Sequence, residues 1–149
     1  MADETATRSG ARATPRVVRI MLLITLLLGV IGTGIELLLL GHTEDVWQLT
    51  PIILIACSFL VLAWHSTHRG RASTRALQAI MVLFVLSGFV GLWLHYRGNV
   101  EFELEMHRSR SGFELFRAAI TGATPALAPG AMIALGLVGL TYTIAPSRY

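Results

Sequence analysis

The sequence predicts an all-α membrane protein with four transmembrane helices and both termini on the cytoplasmic side. Three observations carry that prediction. Of the 149 residues, 54% are hydrophobic and 14% charged, whereas a soluble domain carries about 25% charged residues. Four apolar segments, about 17–40, 46–64, 76–96 and 126–145, are long enough to cross a hydrocarbon core of about 30 Å. The basic residues, all arginine, fall unevenly between the loops that these segments define.

The first 16 residues (MADETATRSGARATPR) are small, polar and aperiodic, the composition of a disordered tail. The first span follows, Val17 to Leu40 (VVRIMLLITLLLGVIGTGIELLLL), with Arg8, Arg12, Arg16 and Arg19 at its start. Its apolar run is too long for a secretory signal peptide, and Leu37–Leu40 lead into Gly41-His42-Thr43-Glu44 with no small-residue cleavage site. Gly29, Gly32, Thr33 and Glu36 share one helical face, so a neighbouring helix can approach closely there and Glu36 is expected to point into the bundle.

Gly41 to Gln48 forms a short external turn, and Asp45 with Gln48 resembles a capping box for the second span. Trp47 and Trp64 bound that span as interfacial aromatics. His65 to Arg75 (HSTHRGRASTR) returns to the cytoplasm, its histidines and arginines suited to lipid headgroups. The third span carries Ser87, Gly88 and Gly91 on a close-packing face and ends at Trp93 and Tyr96.

The long external loop, 97–125, holds two predicted pieces. After the turn signal Gly98-Asn99, Val100 to Met106 (VEFELEM) alternates strictly, which reads as a short extended segment with one apolar and one acidic face. Ser111 with Glu114 reads as a capping box opening a short interfacial helix from Gly112 to about Thr121, on which Glu114 and Arg117 can pair. Thr124, Pro125 and Pro129 bend the chain into the fourth span, which carries Gly130, Gly136 and Gly139, and residues 146–149 are a stub. The glycine faces suit tight packing within one copy or between copies.

Charge supports this topology. Eight arginines fall inside and four (Arg97, Arg108, Arg110, Arg117) outside, as the positive-inside rule requires. Seven of the nine acids fall on or near the external side. All-arginine usage points to GC-rich coding, hence a bacterial source and an inner-membrane location. The net charge of +3 is no nucleic-acid footprint, because its arginines flank membrane spans.

Chemistry-bearing residues gather at the external rim. His42 and His95 end different spans at one level, and with Glu101 and His107 they supply imidazole and carboxylate donors for a transition metal. No HExxH or paired CxxC supports this set, and a solvated polar cap is the ordinary reading. Haem is disfavoured because no histidine lies deep in a span. Cys57 has no partner for a disulfide and reads as a small buried hydrophobe. Glu36, an acid within a span, is either a structural partner of Arg97, His95 or an indole N–H, or a proton or cation site. Ser58 and Ser87 have no His or Asp in register, and Gly32-Thr33-Gly34 lacks a phosphate-loop context, so nucleophilic catalysis and nucleotide binding find no support.

Three functional readings follow. In the first, the chain is a non-enzymatic accessory subunit or assembly factor that docks a partner through Glu101, Glu103 and Glu105. In the second it binds a metal or redox cofactor at the rim. In the third it is a small proton-coupled transporter worked through Glu36, which would need dimerisation to form a pathway.

Overall fold

In a computed structural model the chain is described over residues 2–122 and 128–145, with side chains from residue 16. The described residues form five helices: α1 (Ala2–Leu39), α2 (Val46–Thr67), α3 (Arg71–Met106), α4 (Gly112–Ile120) and α5 (Gly130–Ile144). Three of them contain segments long and apolar enough to cross a membrane, Arg16–Leu39, Val46–Thr67 and Arg71–Met106. The helix α5 is equally apolar but has 15 residues, about 22 Å of rise. The predicted start of the fourth span at 126, with Thr124 and Pro125, lies outside the described residues.

Helix α3 is the axis of the fold, with α5, α2 and α4 packed on it, while α1 leans mainly on α5. The core is a stripe from each long element: Leu26 and Val30 of α1, Ile55 and Leu62 of α2, Leu77, Met81 and Phe84 of α3, and Met132, Leu135 and Tyr142 of α5. Outside it, Leu28, Ile35, Leu60, Leu86, Phe89 and Leu137 are exposed. An all-round apolar helix set with bare leucines and phenylalanines suits hydrocarbon as its solvent.

The α3–α5 contact is close because of glycine. A Cβ at Gly136 would stand 2.6 Å from the Met81 carbonyl oxygen, and one at Gly88 would stand 2.9 Å from the Ile133 nitrogen. Gly91 faces Pro129 in the same seam. Backbones then touch directly, as the glycine faces of these spans predict. Gln78 Nε2 adds one polar tie across the seam, donating to Thr143 Oγ1 at 3.2 Å.

Two local features depart from the sequence reading. Residues 100–106 are not extended: they are the last two turns of α3, and no strand occurs among the described residues. Glutamate, leucine and methionine are strong helix formers, and extending an existing helix needs no new nucleus. A single strand there would have had no ladder partner. Gly98-Asn99 likewise stays helical, because Asn99 is buried and its Nδ2 donates to the Ala119 carbonyl at 2.8 Å. At the other end, α1 is helical from Ala2, where the composition predicts a disordered tail through residue 16. Alanine-rich sequence continuous with a span can propagate its helix at no nucleation cost.

Candidate functional site

At the end of α1 the chain turns through Gly41, whose φ of +65° is the left-handed conformation that glycine tolerates best. The His42 amide donates to the Leu37 carbonyl at 3.0 Å and the Gly41 amide to Leu38 at 3.1 Å, the paired bonds of a Schellman cap. This cap fixes where His42 leaves the helix. Its ring lies 6.3 Å from that of His95 on α3, centre to centre. The two histidines predicted to share a level are therefore neighbours. Glu101 and His107 do not join them: Glu101 pairs with Arg97 at 3.2 Å, and His107 caps the far end of α3. Among the described residues, no three His, Cys, Asp or Glu side chains converge to hold a metal ion.

Next along the chain, the Asp45 carboxylate accepts the Gln48 amide at 2.9 Å, and Gln48 Oε1 accepts the Glu44 amide at 3.1 Å. The capping pair predicted for α2 is thus present, with its return bond one residue earlier than the standard box.

Beyond His95, α3 and α4 form a hairpin. The tie from Asn99 to Ala119 sets α4 against α3, and Gly122 abuts Asn99. Gly112, at φ +58°, reverses the chain between them. Arg110 binds Glu103 closely and reaches Glu114 at 3.6 Å. Ser111 occupies the N-cap of α4 without a side-chain capping bond, and Glu114 turns to Arg110 and not to Arg117. The charged guanidinium outcompetes the capping interaction that the spacing predicts.

This geometry redistributes the three predicted docking acids. On a helix, Glu101 and Glu105 share a face while Glu103 points elsewhere. Glu103 is largely buried in its bridge to Arg110, and Glu101 stays at the surface in a solvated pair with Arg97. Beside them the hairpin exposes Phe102, Met106 and Phe113, the last at 77%. A chain of ring contacts runs from Trp93 through Tyr96 and Phe116 to Phe113 at 6.0–6.4 Å.

Glu36 is not in the bundle interior. It is exposed, roughly 100° around α1 from the Leu26–Val30 stripe. Of the face predicted to pack, Gly29 meets Leu135 of α5, whereas a Cβ at Gly32 would meet nothing. Helix α1 is rotated so that Gly34, facing Ile55 of α2, takes the second packing position. No described residue pairs with the Glu36 carboxylate, and Arg97, a predicted partner, is held by Glu101.

One cluster goes unread in the sequence. His65, predicted to lie among lipid headgroups, is 5% exposed, with Nδ1 3.1 Å from Ser73 Oγ and its ring edge-on to Tyr142. The only sequence signal is register: His65 continues the Ile55–Ser58–Leu62 stripe at i+3 and i+4.

Against protein-family profiles, curated proteins and solved structures, the chain finds no match.

Proposed function

We propose that the chain is a four-span protein of a bacterial inner membrane, non-enzymatic, whose external hairpin docks a partner. It is read as an accessory subunit or assembly factor. The carrying observation is the α3–α4 hairpin, a braced helical pair with apolar side chains bare at Phe102, Met106 and Phe113. The acidic residues Glu101 and Glu105 flank that apolar group and would orient a basic partner, while Glu103 serves the hairpin itself. The arginine asymmetry supports cytoplasmic termini, and the apolar helix α5 is read as the fourth crossing.

A photo-crosslinking amino acid at Met106 or Phe113, in cells making the full chain, is expected to yield one discrete adduct that the same group at lipid-facing Leu60 does not. Glu101→Lys with Glu105→Lys should abolish it. Equal labelling from all three positions would refute docking through the hairpin.

The approach of His42 to His95 favours a second reading, a metal held by two imidazoles with its other positions filled by water or by a partner. Zinc or copper copurifying with the protein and lost in His42→Ala/His95→Ala would establish it; metal content unchanged by the double variant would remove it.

A further inference from the structure

Helix α1 packs chiefly on α5 and touches α2 little. Away from those contacts it presents an exposed seam of Ile24, Leu28, Gly32, Ile35 and Glu36 at i+3 and i+4 spacing. Hydrocarbon solvates the aliphatic members of that seam but not an ionised carboxylate. Glu36 is the residue that needs more than lipid.

Its depth makes the need specific. Leu37–Leu40 follow it, with Leu38, Leu39 and Leu40 all exposed, and polar chain resumes only beyond them. Four residues are about 6 Å of rise, and a helical Cα–Cβ bond tilts toward the helix N-terminus, here away from the rim. A lysine or arginine stem carries its charge back to the interface; the shorter glutamate, aimed the other way, does not. No described side chain pairs with the carboxylate: Arg97 is held by Glu101, Arg110 by Glu103 and Glu114, and the His42 ring neighbours His95. A helical side chain covers the turn before its own Cα. The carboxylate therefore lies over Gly32, where an added Cβ would meet nothing, and a second helix can bring its backbone close at that notch.

We propose that the Gly32–Glu36 face of α1 docks a transmembrane helix of another protein that carries a lysine or arginine at the depth of Glu36. The argument is charge complementarity: an ion pair across a dry seam is strong because the dielectric is low, and it rejects helices with a neutral or acidic residue there. A second copy of this chain does not fit, because a two-fold contact through Gly32 sets one Glu36 against the other. This contact lies within the bilayer, so it rests on α1 being a span and not on docking by the hairpin.

The test uses the full chain in phosphatidylcholine vesicles, dye-labelled through Ser66→Cys in a Cys57→Ala background. The probe is a dye-labelled leucine–alanine transmembrane peptide with a lysine at the depth of Glu36 near each end, so that either orientation presents a cation. A control peptide has glutamine at both positions. By energy transfer the lysine peptide is expected to bind about fivefold tighter than the control, the worth of one interhelical polar contact in lipid. Glu36→Gln should erase that preference, and Gly32→Leu, which fills the notch, should weaken binding with helicity unchanged. Equal binding of the two peptides, or a preference that survives Glu36→Gln, overturns the proposal. In cells, a photo-crosslinking amino acid at Ile35 should capture a membrane protein bearing that lysine or arginine, and Glu36→Lys should abolish the adduct while crosslinking at Phe113 persists. No adduct at Ile35, or one with the mass of two copies of this chain, overturns the proposal whatever Phe113 shows.

Discussion

At the scale of single residues, a few atoms decide where the polar groups of this chain can be used. Gly41 carries the positive φ of the cap that places His42 beside His95. Replacing it with Ala is expected to cost about 1 kcal/mol, the penalty of a left-handed L-residue, read as a lowered unfolding midpoint in detergent. Asn99 is the one described side chain that ties α4 to α3 by a buried hydrogen bond to backbone. Asn99→Leu leaves the Ala119 carbonyl unpaired and should cost about 1–3 kcal/mol, with faster amide exchange confined to α4. Exchange that accelerates equally in α2 would show that the hairpin is not a local unit. Glu36 is exposed and makes no described contact, so Glu36→Gln should shift stability by no more than about 0.5 kcal/mol and leave crosslinking at Phe113 unchanged.

At the scale of elements, the α3–α5 seam and the α3–α4 hairpin obey different physics. The seam lies between apolar helices, where contact depends on shape and not on expulsion of water. A Cβ at Gly136 meets backbone that cannot step aside. Gly136→Val is expected to destabilise the protein by about 1–3 kcal/mol, measured by unfolding in detergent; a neutral result would mean the seam is looser than drawn. The hairpin instead rests on charge-assisted bonds from Arg110 and on Asn99. Those bonds explain how a segment with a strict alternating pattern ends up helical. Alternation describes a face only if a sheet exists to receive it, and among the described residues none does.

At the scale of the whole molecule, charge divides the chain into two ends. The described acids and the histidine pair occupy one end, where Arg97 and Arg110 pair with them, and Arg16, Arg19, Arg69, Arg71 and Arg75 lie with the buried His65 at the other. The proposed topology predicts how each end meets a reagent that cannot cross the membrane. In a Cys57→Ala background, Ser109→Cys should be labelled in intact spheroplasts and Ser66→Cys only after permeabilisation. The reverse pattern would invert the orientation, and labelling of both would contradict a fixed one.

Much of this was legible without coordinates. Long apolar runs, the cap at Asp45, the glycines of the seam and the shared level of His42 and His95 follow from local chemistry and helical spacing. Solvent preference, turn geometry and steric size act within a few residues, so the sequence by itself determines them. The rotation of each helix about its axis is different, because it depends on the summed packing of several neighbours. That rotation turned Glu36 outward, drew His65 inward against Ser73 and Tyr142, and committed Glu103 to Arg110. Only the tertiary structure decided which polar groups are shared, spent or left without a partner.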